Sequence, residues 1–322
     1  MATRQRSSGA DLAIVGLGRM GGNLARQALA RGLRVAGYTQ GGKTDLRHRR
    51  FTLAAQLEQL PPLLKRPRKI FLYVPAGAAV DQLAAQLAPL LQPGDILLDG
   101  GNSYWGDSLR RAQRLQASGI HWLDLGTSGG VDGARHGACF MIGGPRAAVA
   151  QVAPLLRRLA VPGGYVHAGG SGAGHFTKLV HNGIEFGMLQ AIGEGIELLQ
   201  RYGAPLPLAD IVECWRHGSV IRSWLIDLLA QGLRDGELRA IPPVVEDTGE
   251  VNWLVADALE MDVPIPVISQ AVTQLVASRE REPAAPRAVA LMRHGFGGHP
   301  YGRSPALQRE RRTSRIGGYL AP

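Results

Sequence analysis

Three glycines near the start of the chain, spaced Gly16-x-Gly18-x-x-Gly21, constrain the fold more than any other feature. They follow residues 11–15, a short apolar run typical of a buried strand, and precede a helical pattern over residues 22–31. Such glycines permit a tight turn and a close approach of the backbone to a ligand, and the helix N-terminus attracts a pyrophosphate. The pattern therefore predicts a dinucleotide-binding turn. Its expected ligand-lining residues are Gly16, Gly18, Met20 and Gly21.

Strand-like and helical segments then alternate along the first half of the chain. The predicted strands are residues 33–38, 69–75, 95–99, 121–125, 140–144 and 164–167, with helices over 78–91 and 110–118. This rhythm predicts an α/β fold with a Rossmann-like, doubly wound and mainly parallel sheet. From Ser171 onward the pattern is almost wholly helical. Helices are predicted from about 172 to 202 and over 208–217, 221–230, 252–261, 266–279 and 288–294.

The 322 residues can bury a sizeable core and predict two domains. We expect a disordered N-terminus over residues 1–10 and a dinucleotide-binding domain over 11–168. A helical domain is expected over 169–301, followed by a basic C-terminal tail over 302–322.

On doubly wound sheets, ligands bind beyond the carboxyl ends of the strands. The loops after the predicted strands should therefore face the cofactor crevice. Their residues are Val74, Pro75, Ala76, Asn102, Ser128, Gly129 and Gly130.

The end of the second predicted strand bears on which cofactor binds. An acid there would bond the ribose 2′-hydroxyl and repel a 2′-phosphate, but Asp45 comes too late in the chain for that role. Thr39, Gln40 and Lys43 could instead receive a phosphate. The segment favours NADP and leaves NAD possible.

The amino-acid composition indicates the cellular compartment of the protein and the kind of molecule it binds. The formal net charge is +10, but the charge is scattered and only 6% of residues are aromatic, so the sequence does not favour specific nucleic-acid binding. A basic surface that attracts anionic small molecules explains the balance more simply. Two cysteines, Cys139 and Cys214, indicate a reducing compartment. With no signal peptide or membrane span in the pattern, we expect a soluble cytoplasmic protein.

The segment from Gly172 to Glu185 carries the groups suited to chemistry. In a helix, Lys178, His181, Asn182 and Glu185 project from one face, with the ammonium and carboxylate about 10 Å apart. A base and an acid at that separation can hold a small substrate between them. At this spacing such a pair is more often part of a solvated face. Here the helix is apolar nearly all round, which indicates burial and calls for a reason for its ionisable groups.

These pieces together closely resemble the 6-phosphogluconate dehydrogenase family, especially its short-chain bacterial branch. The resemblance covers nearly all of residues 11–299. Its motifs are the glycine turn, Val74-Pro75-Ala76-Gly77, Asp99-Gly100-Gly101-Asn102-Ser103, Gly126 to Gly130, and Gly172 to Glu185. Lys178-x-x-x-Asn182 is shared with the broader β-hydroxyacid dehydrogenases, and His181 to Glu185 is more specific.

The resemblance implies oxidative decarboxylation of a 3-hydroxy sugar acid without a metal. Lys178 would accept the proton of the C3 hydroxyl, Glu185 would protonate C1 of the enediol, and Asn182 would complete the catalytic set. Residues implied to contact or position the substrate are Asn102, Ser128, Gly129, Gly130, His181 and Asn182. Arg293 and His299 match a pair that reaches into the other subunit's site, which implies a homodimer or higher homo-oligomer. The resemblance thus makes residues 169–301 the substrate and dimerisation domain.

Two departures from the family pattern concern the substrate phosphate. Phe186 stands where a tyrosine commonly binds it, and Leu275 stands where an arginine is expected, with Arg279 one turn further on. Two alternatives follow. One is a related dehydrogenase or reductase acting on an unphosphorylated hydroxy acid, and the other is a catalytically silent cofactor-binding protein.

Overall fold

The computed structural model describes residues 9–280 and 282–308. They form two compact units, each described by itself below. The first comprises the chain up to Gly183 together with Gly249–Asp257, and the second comprises Ile184–Thr248 and the residues from Ala258 onward. The units therefore divide inside a helix, whereas the domain boundary expected after residue 168 stays a prediction.

The first unit is built on one eight-stranded sheet. Its strands are β1 (Leu12–Val15), β2 (Val35–Tyr38), β3 (Phe51–Leu53), β4 (Lys69–Leu72), β5 (Ile96–Asp99), β6 (His121–Ser128), β7 (Ala138–Gly143) and β8 (Ala160–Gly169). The spatial order is β3-β2-β1-β4-β5-β6-β7-β8. Neighbouring strands are parallel except β6 and β7, which are antiparallel. The predicted doubly wound, mainly parallel sheet is confirmed.

Helices cover both faces of this sheet. They are α1 (Arg19–Ala30), α2 (Ala78–Leu87), α3 (Trp105–Gln116), α4 (Gly130–His136), α5 (Arg146–Leu159) and the first part of α6 (Ala173–Gln200). Alternate residues of β1 point to opposite faces, so Leu12 and Ile14 belong to one apolar cluster and Ala13 and Val15 to the other. A strand buried on both sides reads as a continuous apolar run, as residues 12–15 do.

In the described residues of the second unit, the regular secondary structure consists of helices. Its helices are the rest of α6, α7 (Leu208–Trp215), α8 (Trp224–Arg234), the last residues of α9 (Glu250–Glu260), α10 (Pro266–Arg279) and α11 (Ala284–Gly297). Ile196, Val212, Ile226 and Ala230 form a small buried core there. No helix among the residues that the structure describes combines the length and apolarity needed to cross a membrane.

Several local predictions were incomplete. The sequence pattern did not indicate β3, α4 or α5, and the helix predicted to reach residue 91 ends as α2 at Leu87. Helix α4 contains two glycines and α5 contains Pro154, residues that disfavour a helical interior. Most of the predicted terminal segments, 1–8 and 309–322, lies outside the described residues. The amide of Ala10 donates to the carbonyl of Leu63, 2.7 Å away.

Candidate active site

The three glycines of the turn after β1 have three different surroundings. Gly16 has a φ of +91°, and a Cβ there would lie 2.2 Å from the Tyr73 carbonyl oxygen. A Cβ at Gly21 would lie 2.0 Å from the carbonyl oxygen of Gly16, so α1 packs directly on the turn. A Cβ at Gly18 would meet nothing within 4 Å. The first and third glycines are thus required by packing, and the second leaves open space where a pyrophosphate can approach the backbone.

The loops predicted to face the ligand lie along one edge of the sheet. β4, β5 and β6 are adjacent and parallel, so Val74, Asn102 and Ser128 all lie at or just beyond their carboxyl ends. Pro75 and Ala76 continue the first of these loops, Gly129 has a φ of +106°, and Gly130 begins α4. The strand order reverses between β1 and β4, which is where such sheets bind dinucleotides.

The segment after β2 is the part of this edge that bears on cofactor choice. Thr39 is half-buried, and Gln40 and Lys43 are exposed. Asp45, the first acid after β2, is bound by both its oxygens to the Arg26 guanidinium, 2.5 and 2.6 Å away. Its carboxylate is therefore held by α1.

Helix α6 approaches the sheet closely because glycines line the contact. A Cβ at Gly126 would lie 2.6 Å from Cβ of Lys178. A Cβ at Gly174 would lie 2.4 Å from the Asp124 carbonyl oxygen and 2.6 Å from the Gly143 nitrogen. Only residues without side chains fit at these points, so the lysine is fixed against the end of β6.

The buried carboxylate of Asp124 caps the start of this helix. Its Oδ1 accepts from the amide of Gly172 at 2.7 Å, and its Oδ2 accepts from the amide of His175 at 2.9 Å. These amides belong to the first turn, which has no partners within the helix. A negative group at this end also complements the helix dipole.

Lys178, His181 and Asn182 form a connected polar group on α6. Lys178 Nζ donates to Asn182 Oδ1 at 2.7 Å and lies 3.4 Å from His181 Nδ1. The other ring nitrogen of His181, Nε2, lies 3.0 Å from Ser128 Oγ at the end of β6. Asn182 is 8% exposed. The structure thus brings together four of the residues that the sequence assigned to chemistry or substrate binding.

A buried histidine joins this helix to β5. His175 Nε2 lies 3.0 Å from the carbonyl oxygen of Asp99, which can only accept, so Nε2 carries the hydrogen. In that tautomer Nδ1 accepts from Ser108 Oγ, 2.7 Å away. His175 therefore holds α6, the end of β5 and α3 together, one turn before Lys178.

The loop that carries Asn102 is held by two acids, Asp99 and Asp257, that were not assigned a role in the site from the sequence. Asp99 accepts from the Gly101 amide at 3.1 Å and from Ser103 Oγ at 2.7 Å. Asp257 of α9 accepts from Tyr104 Oη at 2.8 Å and from Trp105 Nε1 at 2.7 Å.

Asn102 itself donates to Glu250 Oε1 at 3.0 Å. Glu250 and Asp257 are about 150 residues further along the chain than their partners, and no local pattern signals such contacts.

Tyr73, directly after β4, contributes an uncharged phenol side chain to this edge of the sheet. Burial, the largest effect, raises the pKa of its phenol well above the usual range, and its Oη lies 3.0 Å from Thr127 Oγ1. A Cβ at Gly100 would lie 2.6 Å from the tyrosine ring. The ring therefore fills the space beneath the Asn102 loop.

The remaining predicted site residues belong to the second unit. Glu185 lies on α6, two turns after Lys178, and is followed by Phe186. Arg293 lies on α11, and His299 follows that helix, where its carbonyl oxygen is 2.9 Å from His294 Nδ1. Leu275 and Arg279 lie on α10. The roles of Glu185, Arg293 and His299 stay predictions.

The glycine turn at the switch point and the Lys178 group at the end of β6, on the same edge of the sheet, define an oxidoreductase that uses a nicotinamide dinucleotide. Comparison with known sequences gives the family. Residues 11–169 match the NAD binding domain of 6-phosphogluconate dehydrogenase, and residues 174–293 match the 6-phosphogluconate dehydrogenase C-terminal domain. The chain belongs to the 6-phosphogluconate dehydrogenase family, as the sequence motifs predicted.

Two sequence relatives match over nearly their full length. One is YqeC of Bacillus subtilis, provisionally named a 6-phosphogluconate dehydrogenase, which is 40% identical over 89% of this chain and 98% of its own. The other, from Haloferax volcanii, is named an NAD(+)-dependent, decarboxylating 6-phosphogluconate dehydrogenase. It is 37% identical over 91% of this chain and 99% of its own.

Among solved structures, Plasmodium falciparum 6-phosphogluconate dehydrogenase superposes with a TM-score of 0.75 and 26% identity. The match covers 92% of this chain and 66% of that one. That protein was solved in its apo form, with its cofactor NADP+ and with its substrate 6-phosphogluconate.

Proposed function

We propose that this protein catalyses the NADP-preferring oxidative decarboxylation of 6-phosphogluconate, or a close 3-hydroxy sugar acid, to a ketopentose phosphate and CO2. The observation that carries the proposal is the 2.7 Å contact between Lys178 Nζ and Asn182 Oδ1, with His181 bonded to Ser128 beside it. This group lies at the carboxyl edge of a sheet with a dinucleotide-binding turn, in a chain of the 6-phosphogluconate dehydrogenase family.

In the proposed mechanism, Lys178 accepts the proton of the C3 hydroxyl as that carbon is oxidised. Oxidised NADP, when bound at the glycine turn, would supply the hydride acceptor for C3. Asn182 and His181 orient the lysine and the substrate. The 3-keto acid then loses its carboxylate as CO2. The electron pair of the broken bond forms the C=C bond of an enediol, and Lys178 returns its proton to the C3 oxygen. Glu185 protonates the carbon that lost the carboxylate, which is C1 of the enediol, while Lys178 takes the proton of the C3 hydroxyl again, and this gives the ketone product. General acid and base groups of this kind contribute about 10²–10⁴-fold each to the rate.

The preference for NADP rests on the segment after β2. Asp45 is bound to Arg26, and residues 39–44 contain no acid, so nothing there repels a 2′-phosphate. Thr39, Gln40 and Lys43 supply hydroxyl, amide and ammonium donors. The NAD(+)-dependent name of the Haloferax relative makes NAD the competing cofactor to be tested.

We further propose a homodimer in which Arg293 and His299 complete the other subunit's site. Large apolar side chains exposed on the second unit support association with another copy. They include Leu198, Leu259, Val267, Leu291 and Met292.

A second candidate function is oxidation of an unphosphorylated hydroxy acid. Arg279, one turn after the expected phosphate-binding position at Leu275, is bonded to Asp247 Oδ1 at 2.8 Å and lies 3.6 Å from Glu246. Its charge is therefore shared with two carboxylates. Phe186 and Leu275 add no polar group.

Initial rates with 6-phosphogluconate and gluconate, each with NADP and NAD, test the proposal and its competitors together. We expect 6-phosphogluconate with NADP to give the highest kcat/KM. Faster oxidation of gluconate would select the second candidate, and faster reaction with NAD would overturn the cofactor preference. Cofactor binding without turnover of either acid would support a catalytically silent protein.

A further inference from the structure

Glu250, the first residue of α9, contacts the loop after β5 within the first unit. Its Oε1 lies 3.0 Å from Nδ2 of Asn102. A carboxylate oxygen can only accept here, so the asparagine must present its NH2 group to Glu250. The orientation of the Asn102 amide, which is ambiguous from shape alone, is thereby fixed: Nδ2 points to Glu250 and Oδ1 points away from it.

The backbone on both sides of Asn102 is fixed as well. Asp99 holds Gly101 and Ser103 on one side, and Asp257 holds Tyr104 and Trp105 on the other. Both carboxylates are buried, at 0% and 4% exposure. The loop therefore has little freedom to turn the asparagine by moving the main chain.

Asn102 is nevertheless exposed, although Ser103 beside it is buried. A Cβ at Gly101 would lie 3.0 Å from the carbonyl oxygen of Val74, so this loop packs on the one that follows β4. The exposed amide thus lies at the carboxyl edge of the sheet, next to the segment expected to meet the nicotinamide.

We propose that Glu250 is a positioning residue that makes Asn102 an acceptor toward the bound ligand. In this arrangement Asn102 Oδ1 accepts from a hydrogen-bond donor, either a hydroxyl of the sugar acid or the carboxamide NH2 of the cofactor. It does not donate to a carboxylate or phosphate oxygen. The inference rests on the proposed function only for the identity of the substrate.

The proposal can be tested by exchanging the two side-chain groups of this contact, so that position 102 carries the carboxylate and position 250 carries the amide. In Asn102→Asp, two carboxylates would face each other across 3.0 Å, and we expect kcat/KM to fall about 100-fold. In Asn102→Asp with Glu250→Gln, the glutamine donates to Asp and the second oxygen of Asp still faces the ligand. The double variant should recover to within about tenfold of wild type. If Asn102 instead donates to the ligand, Asp cannot replace it, and a double variant no better than N102D overturns the proposal.

The matched control is Asn102→Asp with Glu260→Gln, because Glu260 is an exposed acid at the other end of α9. It removes one charge without touching Asn102, and its kcat/KM should stay as low as that of N102D. Equal recovery in this control would show a general charge effect and would contradict the proposal. Separate KM values for the acid and the cofactor distinguish the two possible donors.

If N102D does not fold, Glu250→Gln and Glu250→Met replace it as a test. Glutamine keeps a partner for Asn102 and methionine does not, so kcat/KM should be about tenfold lower for E250M at unchanged Tm. Equal values for the two variants would overturn the proposal.

Failure of the proposed function is distinguishable, because it would appear as a wild-type protein that oxidises no hydroxy acid. The NADPH dissociation constants of the same variants, measured by fluorescence, would then decide the inference. In that case the sugar-acid hydroxyl drops out and the cofactor carboxamide is the remaining donor. N102D should then bind NADPH about tenfold more weakly than wild type, and the double variant should recover that loss. Absence of recovery would overturn the inference.

Discussion

Lys178 Nζ and Asn182 Oδ1 lie 2.7 Å apart, one turn from each other on α6. Because the amide oxygen accepts from the lysine, both side chains are held in one arrangement. His181, which is 3.4 Å from the same nitrogen, is fixed in turn by Ser128. The group needs a precise helix position, which the glycine contacts and the Asp124 cap supply.

Replacing Lys178 by methionine tests its role as the base. We expect kcat to fall about 10³-fold, within the range that a positioned base contributes, while the dissociation constant for NADPH changes by less than about threefold. Steady-state rates and NADPH fluorescence provide the two measurements. Lys65→Met, at an exposed lysine paired with Asp11, is the control and should keep wild-type activity. An equal loss in both variants, or none in K178M, would contradict the assignment.

Alanine at Gly18 and alanine at Gly21 should affect different properties, the first cofactor binding and the second thermal stability. A Cβ fits at Gly18 but would narrow the approach to the pyrophosphate, so G18A should weaken NADP binding about tenfold or more and leave Tm unchanged. A Cβ at Gly21 would lie 2.0 Å from the Gly16 carbonyl oxygen, so G21A should overpack the turn. Overpacking lowers the free energy of unfolding by about 1–3 kcal/mol, so Tm should fall by several degrees. Thermal melts and cofactor titrations separate these outcomes. Equal loss of Tm in both variants would argue against an open cradle at Gly18.

The cap on α6 predicts a large stability loss for Asp124→Asn. One amide nitrogen would then face a backbone N–H, so the free energy of unfolding should fall by about 2 kcal/mol. Urea unfolding provides the measurement. Asp132→Asn, at an exposed acid of α4, is a matched control that should cost less than about 0.5 kcal/mol. If D124N loses no more free energy of unfolding than D132N, Asp124 does not anchor the helix.

Glu213 on α7 predicts a pH dependence within the second unit. Hydrogen bonds from Arg216 and then His217 lower the pKa of its carboxyl to about 2. The pKa of an unfolded glutamate is about 4.3, so the stabilisation is fully present above that pH and is lost as pH falls toward about 2.

The Tm difference between wild type and Glu213→Gln should therefore shrink between pH 5 and pH 3. Glu260→Gln provides the comparison for an exposed acid elsewhere. A Tm difference for E213Q that stays constant over this range would contradict the account.

Much of the fold follows from local pattern. The run of residues 12–15 with its glycine turn specifies β1 and α1, and the apolar segments ending at Leu72 and Asp99 specify β4 and β5. Once these strands are parallel neighbours, Val74 and Asn102 must lie at one edge. The stripe of Lys178 and Asn182 follows from the helical period alone.

Other features depend on partners distant in sequence. β3 has only three residues, and it pairs with β2 through contacts that its own composition does not indicate. Asp124 cannot be told apart by sequence from the other acids among the 26 Asp and Glu residues, because its role as a cap depends on the packing of α6 against β6. Glu250 and Asp257 belong by sequence to the helical half of the chain, but they bond to the loop after β5. Tertiary packing decides such contacts.

Oxidative decarboxylation can be followed directly with 6-phosphogluconate labelled with ¹³C at C1, incubated with the purified protein and NADP. We expect one labelled CO2 for each NADPH formed, with all of the label leaving as CO2. NADPH formed without labelled CO2, or no NADPH at all, would contradict oxidative decarboxylation of this acid.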